Sequence, residues 1–80
     1  MKNDIKQVIK KIIMTVSENI LIDEIDDNDS LIENGMDSME YVFLIVQLET
    51  TYGIKFEDDM INYEKLNSIE GFSNYIYSKM

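Results

Sequence analysis

Ile5, Val8, Ile9, Ile12, Ile13 and Val16 recur at spacings of three and four, which places them on one face of an amphipathic helix. Asn3 and Asp4 suit its start, and its lysines fall on the opposite face. From Asn19 to Asp37 the helical period dissolves into acids with scattered apolar residues. This stretch reads as a long loop that Ile22, Ile25, Leu31 and Met36 pin to the helices. A connection of that length inside one domain is more often functional than neutral.

A dense apolar run follows, and Asp37 and Glu40 ahead of it have the three-residue offset of a capping box, so a second helix is predicted to open at Asp37. Gly53 after Tyr52 offers the left-handed residue that ends it. This helix carries two apolar stripes. Tyr41, Leu44, Ile45, Leu48 and Tyr52 form one, and Met39, Val42, Phe43 and Val46 form another beginning beside Ser38. A domain of 80 residues can hardly bury both faces of a helix, so one stripe must face outward, and the set beside Ser38 is the better candidate. Exposed Met suits varied partner surfaces because it is flexible and polarizable.

After Ile54-Lys55-Phe56, the acidic and weakly periodic stretch from Glu57 to Leu66 supports one or two helical turns. Ser68 is then a candidate N-cap for a last helix with Ile69, Phe72 and Ile76 buried and Tyr75 beside them, which Gly71 weakens slightly. The other methionines and tyrosines read as core and cap material. The predicted fold is all-α: a small four-helix bundle of three principal helices and one short helix, with a long loop between the first and second helices. No Pro and only three Gly interrupt the chain, so residues 1–80 read as a single domain.

Composition narrows what such a bundle can do. With 45% apolar residues the chain has enough to fold. Without His or Cys it lacks the usual general base, thiol nucleophile, zinc ligands and disulfides, so no catalytic residue is expected. A net charge of −9 disfavours nucleic acid and anionic membrane surfaces and favours basic protein partners. The negative charge is unevenly placed: residues 1–17 hold four Lys and one Asp, while residues 18–80 hold three Lys and fifteen acids. The longest apolar run, Tyr41 to Val46, is far short of the about 20 residues of a membrane span, and Lys2, Lys6, Lys10 and Lys11 break up any signal-like stretch. A cytoplasmic monomer is expected.

The acidic loop matches a calcium-loop template only in part. Asp26, Asn28, Ser30 and Asp37 fall on its first, third, fifth and twelfth positions, but Leu31 stands where the sharp turn needs Gly and the last position lacks the bidentate Glu. No metal site is expected.

Ser38 is the residue that stands out. A serine at a helix start is ordinarily an N-cap or a solvated hydroxyl. Here Asp37 already has Glu40 as its capping partner, which displaces Ser38 to the first helical position and leaves its hydroxyl free. A phosphate attached there would meet the positive end of the helix dipole and unpaired backbone amides.

Gly35-Met36-Asp37-Ser38-Met39 resembles the Gly-x-Asp-Ser-Leu attachment motif of the phosphopantetheine carrier proteins, the acyl, peptidyl and aminoacyl carriers, with Met in place of the final Leu. The order of helices, the long loop, the Ile54-x-Phe56 acidic segment and the closing helix ending in Tyr75-Ile76 extend the resemblance over essentially the whole chain. It implies a protein without an active site, to whose Ser38 a phosphopantetheinyl transferase (holo-carrier synthase) joins the 4'-phosphopantetheine arm of coenzyme A. Asp37 would help position Ser38. The arm's thiol would hold acyl or aminoacyl groups as thioesters, charged by a loading ligase and passed to a downstream synthase or transferase.

The resemblance is uneven. Where the fatty-acid branch usually has a strongly acidic second helix, this chain has Phe43 and Gln47 and keeps Glu40 and Glu49. Asp-Ser-Met and the following Val-x-x-x-Val also look like D-alanyl carriers, and discrete peptidyl or aminoacyl carriers share a similar face. The expectation is a stand-alone carrier of a dedicated pathway (polyketide, nonribosomal peptide or D-alanyl transfer) that meets partners through Met39, Glu40, Val42, Phe43, Val46 and Glu49. The alternative is an acidic helical adaptor that binds a basic enzyme and carries nothing.

Overall fold

Ile5, Ile9 and Ile13 are buried. They stand one helical turn apart and form the central line of α1 (Lys2–Val16), with Val8, Ile12 and Val16 half-buried beside them. In the computed structural model, which describes residues 2–62 and 64–80 apart from the side chain of Lys2, two further helices follow, α2 (Ser38–Tyr52) and α3 (Ile69–Lys79). Readings that touch Met1 or Tyr63 lie outside these residues. Two 3-10 turns, Ile22–Glu24 and Asp58–Met60, complete the regular structure, and no strand occurs among the described residues.

The start and stop signals of α2 both operate as the sequence implies. The Asp37 carboxylate accepts the Glu40 N–H at 2.8 Å and Glu40 Oε1 accepts the Asp37 N–H at 3.1 Å. At the other end Gly53 takes φ +64°, a left-handed conformation that glycine adopts without a Cβ penalty. Burial separates the two stripes of the helix, with Tyr41, Leu44, Ile45 and Leu48 inward. In α3, Ser68 accepts the Gly71 N–H at 3.0 Å as the N-cap, and Ile69, Phe72 and Ile76 are buried with Ser73.

The connection from α1 to α2 is more ordered than a plain loop. Ile20, Leu31 and Met36 are buried, and Ile22, Ile25 and Ile32 pack against the core. Backbone bonds tie it down: Leu31 N–H to Asn67 C=O (2.8 Å), Met36 N–H to Leu31 C=O (3.0 Å) and Glu70 N–H to Asp27 C=O (2.8 Å). Ile20, four residues after Val16, continues the buried line of α1 beyond the end of that helix and is a further anchor of the connection.

Between 57 and 66 the expected short helix is represented, among the described residues, by the single 3-10 turn Asp58–Met60. This segment is anchored mainly at its ends. Phe56 stacks on Tyr75 (4.8 Å between centroids) and meets Phe72 edge-on. At the far end Leu66 is buried and its carbonyl accepts the Tyr41 hydroxyl. Glu57, Asp58 and Asp59 between these anchors are exposed, so little apolar area is available to drive a longer helix.

Lys6 and Lys10 do not simply face solvent opposite the isoleucines. Lys6 Nζ pairs with Glu70 at the start of α3 and with Asp27 of the loop at 3.1 Å, and Lys10 reaches Asp27 at 3.5 Å. The two carboxylates, Glu70 first, raise the Lys6 ammonium above its ordinary pKa, and the Lys6 hydrogen bond holds the Asp27 carboxyl below the usual range. A lowered carboxyl stabilises the fold above its unfolded pKa and loses that contribution as pH falls through the folded value; a raised ammonium loses its contribution only in strong alkali. Asp27→Asn is therefore expected to melt below the wild type at pH 7, with the gap closing as both are taken below pH 4. Thermal melts followed by circular dichroism measure this, and a gap independent of pH would remove the ion network from the account.

α1 and α2 run antiparallel. Burial and the Asp4 carboxylate together push the Tyr52 hydroxyl above its ordinary pKa, which couples the start of α1 to the end of α2. At the opposite end Asn19, just past α1, lies against Gly35, just before α2. Ser38 therefore sits at the same end of the molecule as the carboxyl end of α1.

Candidate functional site

The chain reaches Ser38 through a backbone that only glycine accommodates easily. Gly35 has φ +116°, and a Cβ there would stand 3.2 Å from Asn19 Cβ and 3.4 Å from Asn19 O. Met36 then plugs into the core and fixes the height at which the next two residues emerge. Asp37 is extended (φ −89°, ψ 174°) and caps α2, so Ser38 becomes the first helical residue with its side chain exposed.

The electrostatics at this point favour an anion. The Asp37 carboxylate is occupied by the Glu40 amide and the Asp37 carbonyl by the Tyr41 amide at 3.0 Å, while the first amides of a helix have no intrahelical acceptor. Those of Ser38 and Met39 are the ones left at the positive end of the α2 dipole. A phosphodiester on the Ser38 oxygen fits this setting: the hydroxyl is open, the cap does not use it, and amide donors lie beside it.

Next to Ser38 the outward stripe of α2 exposes Met39 (66%), Val42 (49%), Phe43 (52%) and Val46 (48%). A cleft of about 400 Å³ opens beside it, lined by Tyr41, Val42, Ile61 and Asn62. The two acids expected on this face are partly committed to the fold. Glu40 closes the capping box, and the Glu49 carboxylate accepts the Phe56 N–H at 2.8 Å, holding the chain where it leaves α2. The partner face is thus more apolar than the sequence implied. Ile61 joins it from the segment after Phe56 without any sequence signal, since its place depends on how that segment folds back. Among the described residues no group of three or more acidic side chains is arranged to hold a metal ion.

The second helix of this three-helix chain thus opens on an exposed serine that its cap does not use. Residues 5–76 match the family described as phosphopantetheine attachment site, and the chain belongs to that family. It is also 33% identical over 78 residues to the acyl carrier protein of Buchnera aphidicola subsp. Schizaphis graminum (strain Sg), covering 96% of this chain and 95% of that protein. The protein is accordingly a non-catalytic carrier that other enzymes modify and use, with a covalently attached 4'-phosphopantetheine. Carriers of this kind work with a phosphopantetheinyl transferase and with acyl-handling enzymes. Among the described residues no helix is long and apolar enough to cross a membrane.

Proposed function

We propose that Ser38 is the attachment residue and that residues 1–80 form one carrier domain serving a dedicated biosynthetic pathway in the cytoplasm. The observation that carries the first part is the exposed Ser38 side chain at the amino end of α2, left out of the cap by the reciprocal Asp37–Glu40 bonds. When bound, the 4'-phosphopantetheine supplies a terminal thiol that holds acyl or aminoacyl groups as thioesters. Asp37 positions the Ser38 hydroxyl by fixing the first turn of α2. Met39, Val42, Phe43 and Val46 give partner enzymes an apolar footing beside it: first the phosphopantetheinyl transferase, then a loading ligase and a downstream synthase or transferase. Peptide mapping after transfer of the arm from coenzyme A is expected to find it on the peptide containing Ser38, and its location on another hydroxyl would overturn the assignment.

The choice of a polyketide, nonribosomal peptide or D-alanyl pathway over fatty-acid synthesis rests on the apolar character of this face. Two of the acids nearest it are turned to capping and to the Phe56 amide, so an enzyme that reads a dense acidic stripe finds little here. The holo-protein is expected to be a poor substrate for the malonyl-loading and elongating enzymes of fatty-acid synthesis. Ready malonylation followed by chain extension would contradict that choice.

A further inference from the structure

The cleft beside Ser38 has a closed back. Tyr41 and Val42, one turn along α2 from Ser38, line it together with Ile61 and Asn62. Val42, Ile61 and Asn62 are open to solvent, whereas Tyr41 is 1% exposed and its hydroxyl donates to the carbonyl of buried Leu66. That bond runs from α2 to the end of the segment leading into α3, and it ties the seam between them shut. Behind it the Tyr41 ring stands 6.0 Å from Phe72, which meets Phe56 edge-on, and Leu44, Leu48 and Phe72 have no solvent exposure.

Interiors are close-packed, so an apolar chain enters one only where something moves out. Here the group that would have to move is Tyr41. Its departure takes a large ring out of the core and leaves the Leu66 carbonyl without its donor. An alkyl chain can refill the apolar space but cannot supply the hydroxyl. The cleft in front of Tyr41 is open, with Val42 and Ile61 beside the Asn62 amide, and it suits small groups that keep their polar atoms in water.

We propose that Tyr41 sets the class of cargo: it keeps the core closed, so that the carrier holds short or polar groups outside and gives a longer alkyl chain no seat within. This rests on Ser38 carrying the arm that brings cargo to the cleft; the packing of Tyr41 does not.

The full chain is loaded by a promiscuous phosphopantetheinyl transferase from acetyl-coenzyme A or from octanoyl-coenzyme A, and intact mass confirms each load before anything else is read. In the wild type the octanoyl form is expected to melt within about 2 °C of the acetyl form, with the Leu44 and Leu48 methyl resonances unmoved between the two. In Tyr41→Ala the octanoyl chain is expected to enter the vacated space, as apolar ligands fill engineered cavities. It should raise the melting temperature by at least about 4 °C over the acetyl form and move both methyls. Tyr41→Leu, which keeps more of the core filled, is expected to change in the same direction by less and carries the test if the alanine variant does not fold. An octanoyl chain that stabilises the wild type and shifts its core methyls, or folded variants that respond equally to both loads, would overturn the proposal. A wild-type chain that takes no load at all would overturn the carrier reading, and the proposal with it.

Discussion

Leu31→Ala is expected to lower folding stability by about 3–5 kcal/mol, the range seen when a fully enclosed leucine leaves a cavity that its surroundings only partly fill. Leu31 has no solvent exposure. Its N–H is held by the Asn67 carbonyl and its C=O by the Met36 amide, so the backbone around the cavity cannot slide far to close it. A domain of this length has on the order of 4–12 kcal/mol in total, and the loss is about a quarter of that or more. Because Met36 hangs from the Leu31 carbonyl and leads directly into Asp37 and Ser38, the variant should also loosen the approach to α2. Urea unfolding followed by circular dichroism measures the first effect, and hydrogen exchange at the Met36 amide the second. A change under about 1 kcal/mol would mean that the loop is not anchored through Leu31.

Phe43→Glu is the second large effect, and it falls on partners rather than on folding. Phe43 is half exposed on the outward face of α2, glutamate has good helix propensity, and surface changes away from caps and core shift stability by about 0.5 kcal/mol or less. The melting temperature should therefore stay close to wild type. Aromatic anchors at the centre of an interface commonly cost about 2 kcal/mol or more when removed, which corresponds to roughly thirtyfold. The kcat/KM of the phosphopantetheinyl transferase on this variant is expected to fall by at least about tenfold. An unfolded variant would put Phe43 in the core, and an unchanged rate would remove this face from the transferase's footprint.

Much of this arrangement can be read from the sequence because it is local. The Asp37–Glu40 cap, the Gly53 stop, the Ser68 cap and the inward lines of all three helices depend on spacings of one to four residues, and each follows from helix geometry alone. The freedom of Ser38 follows by elimination once Asp37 takes the cap. What the sequence conceals depends on chain reversal. Glu49 looks like a surface acid until Gly53 turns the chain and brings the Phe56 amide to its carboxylate. Lys6 looks solvated until the loop places Asp27, and α3 places Glu70, on either side of it. Ile20 continues the spacing of the α1 stripe but lies past the end of the helix, and the buried Ser17 hydroxyl, unpaired among the described residues, has no signature in composition or spacing. Between 57 and 66 the acids give no period strong enough to separate a helix from a single turn.

The central claim is that Ser38 carries the arm. Wild type and Ser38→Ala are incubated with coenzyme A and a promiscuous phosphopantetheinyl transferase, and the intact mass of each is measured. The wild type is expected to gain the mass of one 4'-phosphopantetheine and Ser38→Ala, equally folded by circular dichroism, to gain none. A wild-type chain that stays unmodified, or a Ser38→Ala chain that still gains the arm, would contradict the account.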